Sequence, residues 1–371
     1  MRFTQLRLKN FRNYDNLEFR PHSGTTVLYG ANGSGKTNLL EAIHLLCLGR
    51  SHRTTNDKEM VQASKEVAVI RGETKRRDGF HDVEVRLHPF QKPNKRVMLY
   101  GKPARRIGDM MGHATVVMFS PEDLRIIQES PATRRRFMDM QLSQIRPRYF
   151  FELKQYLHIL ENRNALLKKQ KIEGVDDFLG QLETWDEQLS RVAVNIVKSR
   201  KWFLDTLSLH AANQYNNIAS HTAEEFTVRY EGVLANAEDP YQCMMEGLKN
   251  HRREEMQRMY TVFGPHRDDM TFYLSGNPFR SFGSQGQLRT AVLSLKLGEI
   301  QLIKDEMGEP PTLLLDDVFS ELDAKRRNSL LSSVQEVQTI LTCTDKQDAA
   351  GADADEFIRV SHNEEGKAFI G

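Results

Sequence analysis

The sequence has 371 residues, of which 39% are hydrophobic and 27% are charged, a composition typical of a globular protein that excludes a disordered or fibrous chain. Its 52 Lys and Arg side chains nearly balance 50 Asp and Glu side chains, leaving a net charge of +2 at pH 7. Overall charge therefore gives no reason to expect a polyanionic partner, and a nucleic-acid surface has to be a local patch. The length allows one large domain or two modest ones.

Neither a secretory signal nor a membrane span is predicted. The first residues alternate polar and apolar side chains, where a signal peptide has a basic head and an apolar middle. The longest apolar runs fall well short of the roughly 18 residues that a membrane span needs. The three cysteines, Cys47, Cys243 and Cys343, are widely spaced and lack a CxxC pair, which argues against disulfides and zinc. We therefore expect a cytoplasmic protein that does not contact the membrane.

The N-terminal third favours strands around one strong helix. Alternating patterns and short apolar runs predict strands at 6–8, 17–19, 25–29, 67–72, 81–87 and 96–100. A helix is predicted at 38–48, after a glycine-rich turn that follows the strand at 25–29.

The middle of the chain has a helical pattern, and strand patterns return after it. From about 121 to 258 apolar residues recur every three or four positions, with one strand expected at 226–230. Beyond residue 270 the pattern predicts a helix at 285–305, a strand at 312–315, a helix at 324–336 with Asp323 as its N-cap, and a strand at 338–342. We therefore predict a domain formed by 1–120 and 264–371, interrupted by a mainly helical inserted domain at 121–263.

Residues 30–37 read GANGSGKT and match the P-loop pattern GxxxxGK[ST] at every fixed position. The strand before and the helix after supply the context that this pattern requires. Glycine N–H groups can surround phosphate oxygens, Lys36 can place a positive charge on the β and γ phosphates, and the Thr37 hydroxyl can bind Mg²⁺. The predicted nucleotide-binding residues are Gly30, Ala31, Asn32, Gly33, Ser34, Gly35, Lys36 and Thr37.

A carboxylate that holds the metal is predicted at the end of the apolar strand TLLLDD, residues 312–317. Four largely apolar residues indicate a buried parallel strand whose C-terminal end carries the acids. Asp316 is expected to hold Mg²⁺, and Asp317 to orient or activate the attacking water. On its own such a pair of acids is typical of a solvated strand end. The P-loop lysine 280 residues upstream favours the metal site instead.

A second anion-binding feature is predicted where the helix at 285–305 begins. The segment 281–289 reads SFGSQGQLR, and a serine hydroxyl, unshielded glycine N–H groups and a helix N-terminus together can receive an anion. The alternative for Ser284 is an ordinary N-cap, which would be favoured if this segment stood alone.

Seven blocks of sequence resemble the RecF family, the recombination-mediator ATPases of bacterial DNA repair, within the ABC-type superfamily that includes SMC and Rad50 heads. The blocks are NFRNY at 10–14, GANGSGKTNLLEAI at 30–43, SHR at 51–53, FSPEDL at 119–124, GPHRDDM at 264–270, SQGQLRT at 284–290 and LLLDDVFSELD at 313–323. The P-loop alone is unspecific, but the ordered set covers nearly the whole chain.

This resemblance implies an α/β fold: an ABC-type P-loop ATPase head with a mixed β lobe, a parallel sheet, a mainly helical insert and no long coiled coil. It implies ATP and Mg²⁺ as cofactors, an ATP-dependent head-to-head homodimer, and binding to gapped DNA at a junction of single and double strand. It further implies cooperation with RecR and RecO, and indirectly with RecA, in recombinational repair, replication restart and the SOS response.

The resemblance also implies roles for individual residues. Ser284, Gln285, Gly286 and Gln287 would contact ATP in trans, and residues 320–323 would cross the dimer interface beside Asp317. Lys36, Asp316 and Asp317 would form the catalytic set. The usual LSGGQ is here GSQGQ, and the usual catalytic Glu is the shorter Asp317, which predicts slow hydrolysis. The superfamily's switch histidine has no clear counterpart, with Thr344 or Asp345 in its place, and Glu122 is a candidate for the water-positioning glutamine.

Three further basic sites have two alternatives each. Arg12 either contacts a nucleotide phosphate or is a solvated side chain. His52 and Arg53 are either polar loop residues or residues with a phosphate or interface role. His266 and Arg267 belong either to a structural hinge or to the chemistry.

A candidate DNA surface lies at 71–106, a segment that contains eleven basic and four acidic side chains and so has a local net charge of +7. Such a patch can bind phosphates through released counterions, and without a base-reading motif we expect backbone contacts. For any single basic cluster the alternative is a solvated face. The named candidates are Lys75, Arg76, Arg77, Lys95, Arg96, Arg105 and Arg106, with further clusters at 134–136 and 168–171.

Two other classes of function use the same nucleotide motifs. An energy-coupling subunit of a membrane transporter is the main alternative, although the altered signature and the basic lobe fit it poorly. A P-loop phosphotransferase acting on a metabolite is the other, but no acceptor pocket is marked in the sequence.

Overall fold

The computed structural model describes residues 1–219, 224–349 and 351–371. The strands are β1 (Arg2–Phe11), β2 (Tyr14–Phe19), β3 (Thr25–Tyr29), β4 (Ala68–Arg76), β5 (Gly79–Leu87), β6 (Lys95–Leu99), β7 (Lys102–Pro103), β8 (Val116–Phe119), β9 (Phe226–Glu231), β10 (Asp269–Leu274), β11 (Asn277–Pro278), β12 (Thr312–Asp316), β13 (Thr339–Cys343), β14 (Glu356–His362) and β15 (Ala368–Ile370). The α-helices are α1 (Lys36–Leu48), α2 (Leu124–Gln128), α3 (Pro131–Ile145), α4 (Pro147–Ile172), α5 (Phe178–Ile218), α6 (Pro240–Arg258), α7 (Phe279–Phe282), α8 (Gln285–Met307) and α9 (Ala324–Ser333).

The chain divides into two compact units, which differ from the predicted domains at three places: 121–124, 210–225 and 264–283. The first comprises Met1–Leu124, His210–Glu225 and Ser284–Gly371, and the second comprises Arg125–Leu209 and Phe226–Gly283. The second unit continues beyond the predicted end at 263 because β10 pairs with β9 in an antiparallel register. Pattern analysis cannot detect this pairing between distant segments. Residues 220–223 of the predicted insert lie outside the described residues.

The first unit contains an antiparallel sheet with the strand order β2-β1-β4-β5-β6-β7. Buried residues alternate along β4 and β5, as expected for a sheet with one face against a core. Both strands extend beyond the predicted ranges, since their pairing continues through polar residues to Arg76 opposite Gly79.

A second sheet in this unit has the order β15-β14-β3-β13-β12-β8. All neighbours from β14 to β8 are parallel, and the apolar residues of β12 are buried, as in parallel sheets that are covered on both faces. The order places β13 between β3 and β12, so the strand that precedes the P-loop and the strand that ends in Asp316 flank the same neighbour.

The helix α1 packs against strands of both sheets. All its residues from Leu39 to Leu48 are buried, which explains why its sequence is largely apolar around the whole helix and not along one stripe. This packing holds the P-loop end of α1 between the two sheets.

The second unit is mainly helical and is held together by buried ion pairs. Arg163 in α4, with no exposed surface, contacts Asp186 of α5 at 2.6 Å and Glu255 of α6 at 2.7 Å. Arg200 in α5 pairs with Asp139 of α3 at 2.8 Å. Because a buried charge is costly without a partner, each pair ties its helices together. The described residues contain no extended coiled coil, as predicted, and α5 is the longest helix at 41 residues.

Candidate nucleotide-binding site

The predicted P-loop connects β3 to α1, and two of its glycines are required by its backbone. Gly30 and Gly35 have φ angles of 154° and 118°, in the region that favours glycine. A Cβ at Gly30 would lie 2.1 Å from the Val360 carbonyl oxygen, and one at Gly35 would lie 2.9 Å from the Tyr14 hydroxyl. Any larger residue at either position would therefore displace the loop from its neighbours.

Lys36 begins α1 and is folded back onto the loop. Its Nζ donates hydrogen bonds to the carbonyl oxygens of Gly30 at 2.5 Å and Ala31 at 2.9 Å. Burial lowers the pKa of Lys36, and the nearby acids Asp317 and Asp316 partly oppose this effect. The P-loop thus places a largely buried cation beside the two predicted catalytic carboxylates.

Residues 279 positions apart meet at the C-terminal ends of the parallel strands. Thr37 Oγ1 donates to Asp316 Oδ1 at 2.9 Å, and Thr342 Oγ1 donates to the same oxygen at 2.8 Å. The predicted pair of metal ligands therefore lies together, as strand ends in α/β sheets do. Thr342, at the end of β13, was missed by sequence reasoning because nothing in the run ILTCTD distinguishes it from a core threonine.

Asp317 has a strained backbone directly after β12. Its φ is +53°, a left-handed conformation that costs a non-glycine residue about 1–2 kcal/mol. The Asp317 N–H donates to Thr342 Oγ1 at 3.0 Å. Burial and then the charge of Asp316 raise the pKa of Asp317, while Lys36 lowers it. A carboxylate with a raised pKa is a better proton acceptor at neutral pH.

These groups line a cleft of about 260 Å³. Besides P-loop residues, the two acids and Thr342, the cleft is lined by three more residues. These are Arg53 of the SHR block, Thr344 at a position expected for the switch residue, and Asn38, for which no sequence signal was found. The Asn38 amide donates to Asn13 Oδ1 at 2.8 Å and accepts from Arg53 at 2.8 Å. The cleft therefore joins the NFRNY and SHR blocks to the P-loop.

The contacts of Arg12 exclude the solvated alternative, and its contact with a nucleotide phosphate stays a prediction. Its guanidinium donates two hydrogen bonds to the Glu41 carboxylate, at 2.7 and 2.8 Å, and a third to the Glu59 carbonyl oxygen at 2.7 Å. It is neither a solvated side chain nor part of the cleft lining, because a buried carboxylate engages it.

The residues predicted to act in trans form the start of α8. Ser284 is the N-cap: its Oγ accepts from the Gln287 N–H at 3.2 Å, and the Gln287 side chain accepts from the Ser284 N–H at 2.8 Å. Ser284, Gln285 and Gly286 are exposed and Gln287 is half-buried. Ser284 is therefore an N-cap, the first turn of α8 is accessible from outside, and the contact with ATP in trans stays a prediction.

Arg326 in α9 connects this turn to the loop after Asp317. Its guanidinium donates to the Gly286 carbonyl oxygen at 2.7 Å and to Thr290 Oγ1 at 3.0 Å, and it contacts Asp323. Asp323 caps α9, as predicted, by accepting from the Arg326 N–H at 2.9 Å. The two segments expected at the dimer interface are therefore tied to each other within one chain.

The remaining candidates lie outside the cleft lining. Glu122 is exposed in a short turn after β8, and the Asp345 N–H is bonded to Asp348. His266 is half-buried, shares a hydrogen bond with the Tyr156 hydroxyl at 2.7 Å, and has a pKa lowered to about 4 by desolvation. Arg267 contacts the Thr261 carbonyl oxygen. These contacts favour the structural alternative for His266 and Arg267.

Two of the seven candidate DNA contacts serve the fold instead. Arg76 pairs with Glu309 at 2.8 Å and Lys95 pairs with Asp57 at 3.1 Å, and only 14% and 10% of their side chains are exposed. We therefore remove them from the candidates, since a cation already neutralised in a buried pair is a poor phosphate ligand. The others are exposed: Lys75, Arg77, Arg96, Arg105 and Arg106.

No group of three or more His, Cys, Asp or Glu side chains in residues 1–219, 224–349 and 351–371 could hold a metal ion. One carboxylate beside a threonine hydroxyl is nevertheless the usual protein contribution to an Mg²⁺ site, because that ion also takes water and substrate phosphates as ligands. The residues present at Thr37 and Asp316 fit this pattern.

Comparison with known proteins decides the family. The family model described as the RecF/RecN/SMC N terminal domain matches residues 2–368. The DNA replication and repair protein RecF of an Exiguobacterium species is 43% identical over 350 residues, covering 93% of this chain and 92% of that protein. The chain belongs to the RecF family. The RecF protein of Symbiobacterium thermophilum is 42% identical over 355 residues, covering 94% of this chain and 92% of that protein.

Solved structures agree with this assignment. The recombination mediator protein RecF-ATP of the RecFOR pathway superposes with a TM-score of 0.90 at 33% identity, covering all of this chain and 97% of that one. The Smc head domain of Pyrococcus furiosus, with a TM-score of 0.58 at 17% identity, shares the fold. The prediction of an ABC-type ATPase head of the RecF family is confirmed.

Family membership argues against the two alternative functions, the transporter subunit and the metabolite phosphotransferase. In the part of the chain that the structure describes, we find no helix with the length and apolar character of a membrane span.

Proposed function

We propose that this chain is an ATP-dependent DNA-binding protein of recombinational DNA repair and replication restart. The observation that carries the proposal is the meeting of Thr37 and Asp316 at 2.9 Å, beside Lys36 and at the mouth of a glycine loop. This arrangement is suited to a nucleotide's phosphates with their metal ion. The RecF relatives are named for DNA replication and repair, and one solved RecF structure that superposes on this chain is that of RecF-ATP.

The nucleotide is ATP, and Mg²⁺ accompanies it. The N–H groups of residues 30–35 and the N-terminus of α1 receive the phosphates, and Thr37 and Asp316 hold the ion. When bound, Mg²⁺ would neutralise charge that develops on the phosphates. Asp317 acts on the attacking water, and because it is one methylene shorter than glutamate, hydrolysis is slow.

Two heads associate around two ATP molecules. The support is that Ser284, Gln285 and Gly286 are exposed at a helix N-terminus in the same unit as the P-loop, whereas none of them lines the cleft of their own chain. An anion receptor that does not face its own nucleotide is suited to the nucleotide of a second copy. ATP drives this closure only if it binds the dimer more tightly than the monomer.

Exposed cations of the first unit bind the phosphate backbone of DNA. Among them are Lys75, Arg77, Arg96, Arg105 and Arg106. Such contacts release counterions and carry no sequence information. Gapped DNA with its single- to double-strand junction is the expected substrate, and RecR and RecO, with RecA downstream, are the expected partners in a cytoplasmic pathway. The superposed RecF protein is a recombination mediator of the RecFOR pathway, which supports this set.

One experiment tests the proposal as a whole: sedimentation and DNA-binding anisotropy with no nucleotide, with ADP and with a non-hydrolysable ATP analogue. We expect dimers and salt-sensitive DNA binding only with the ATP analogue. A monomer under all three conditions at micromolar protein would contradict the proposal.

Two variants and one control locate the contacts. Lys36→Ala should abolish ATP binding. Ser284→Arg should leave ATP binding intact and block dimerisation. Ser333→Arg, a matched change at an exposed serine of α9, should behave as wild type. Equal loss of ATP affinity in the first two variants would contradict the trans assignment.

A further inference from the structure

Glu41 is a fully buried carboxylate in the second turn of α1 with partners from two other sequence blocks. Arg12 of the NFRNY block donates two hydrogen bonds to it, and Ser51 of the SHR block donates a third, at 2.5 Å. Arg53 of the SHR block lies 3.7 Å away. Burying a carboxylate is costly unless it is paired and hydrogen-bonded. These contacts therefore stabilise the charged Glu41 inside the protein and connect the P-loop helix to both blocks.

The contact with Ser51 determines the shape of the loop that carries Arg53. Ser51 Oγ donates to Glu41 and accepts the N–H groups of Arg53 at 2.9 Å and Thr54 at 3.1 Å. A single hydroxyl therefore connects the helix carboxylate to two successive N–H groups of the loop backbone. Ser51 is buried, so water cannot readily replace this connection.

Arg53 is the member of the group that reaches the nucleotide cleft. Its side chain is 43% exposed, it lines the cleft, and its NH1 donates to Asn38 Oδ1 at 2.8 Å. Its contact with Glu41 is about an ångström longer than the two that Arg12 makes. Arg53 can therefore turn towards an anion in the cleft while Arg12 continues to neutralise Glu41.

We propose that Glu41 is a positioning residue for nucleotide binding: through Ser51 it fixes the loop that presents Arg53 to the phosphates, and Arg12 balances its charge. This inference rests on the proposed function, because it requires that the cleft bind ATP. The nucleotide site then has a second cation, Arg53, beside Lys36, and Glu41 is the carboxylate that positions Arg53.

The test is a double-mutant cycle on Mg·ATP affinity, measured by fluorescence titration of the full chain. Arg53→Ala should weaken binding about ten-fold, since it removes one charge-assisted contact. Ser51→Ala should weaken binding in the same direction, because the loop loses its anchor while no buried charge is left unpaired. In the Arg53→Ala background, Ser51→Ala should have no further effect. Ser190→Ala, a buried serine of α5 whose hydroxyl bonds only within its helix, should leave affinity unchanged.

Two results would overturn the inference. Wild-type affinity in Arg53→Ala, an exposed side chain whose removal should not prevent folding, would exclude its contact with phosphate. Equal losses from Ser51→Ala in both backgrounds would show that Ser51 acts on folding and not through Arg53. Adenosine, which has no phosphates, separates a phosphate contact from a structural role. Arg53→Ala and wild type should bind adenosine with the same affinity, whereas a structural defect would weaken the binding of adenosine and of ATP alike. Failure of the wild-type chain to bind ATP would instead contradict the proposed function.

Discussion

Thr342 offers the sharpest test of how the catalytic carboxylates are held. Its hydroxyl, buried at the end of β13, donates to Asp316 at 2.8 Å and accepts the Asp317 N–H at 3.0 Å. Thr342→Val keeps the shape of the side chain and removes both contacts. The orphaned N–H costs about 1–3 kcal/mol, and the left-handed conformation of Asp317 costs about 1–2 kcal/mol more to maintain. Together these are enough to let the Asp317 carboxylate leave its position.

The expected consequence is a loss of kcat with little change in ATP affinity. A shift of Asp317 acts on the hydrolytic step, where each 1.4 kcal/mol of lost stabilisation is about ten-fold in rate, and we expect a fall in kcat of about ten-fold or more. ATP affinity should change less than about two-fold, because Lys36 and the P-loop backbone are untouched.

The assay is steady-state ATP hydrolysis together with equilibrium ATP binding, and the same strand supplies the control. Thr339 lies at the other end of β13, is equally buried, and its hydroxyl bonds to the Val337 carbonyl oxygen. Thr339→Val should leave kcat unchanged. Equal kcat losses in Thr339→Val and Thr342→Val would refute the reasoning, as would a loss of ATP affinity as large as the loss of kcat.

Three further predictions concern the contacts of single side chains. Arg326→Ala, which frees the Gly286 carbonyl and Asp323, should preserve ATP binding but weaken ATP-dependent dimerisation about ten-fold, and undiminished dimers in sedimentation would contradict it. Burial raises the pKa of Glu299 to about 7, so its contribution to stability is present below about pH 4.5 and is lost as pH rises through 7. The Tm of Glu299→Gln minus that of wild type should therefore be larger at pH 8 than at pH 5. The same Tm difference at both pH values would count against this. Arg163→Met should lower the free energy of unfolding of the second unit by about 3–5 kcal/mol, measured by urea denaturation, because it leaves the buried Glu255 without its cation and Asp186 with only the longer contact to Arg252 at 3.5 Å.

The candidate DNA surface shows what counting charges in a sequence can predict and what it cannot. The excess of basic residues at 71–106 is visible in the sequence, but which cations are available is not. Arg76 and Lys95 are neutralised by Glu309 and Asp57, acids that lie far along the chain or outside the counted segment. Only folding brings such pairs together, so the sequence overstated the patch by these two residues.

Local sequence determined the elements on which the nucleotide site is built. GANGSGKT between an apolar strand and an apolar helix requires few long-range contacts to be recognised, and β3 has the predicted bounds. The N-cap Asp323 was equally predictable, because a cap is satisfied by backbone groups within its own turn. Periodicity also distinguished the strands from the helical middle of the chain.

Tertiary structure alone decided which distant residues share the site. The place of β13 between β3 and β12 brings Thr342 to Asp316, and the buried Glu41 gathers Arg12, Ser51 and Arg53. These contacts depend on strand order and on the partners of a buried charge, and neither leaves a periodic or local trace in the sequence. The sequence by itself thus predicted the family, the P-loop and the metal carboxylate, while the packing of α1 between two sheets determined how the side chains around them are held.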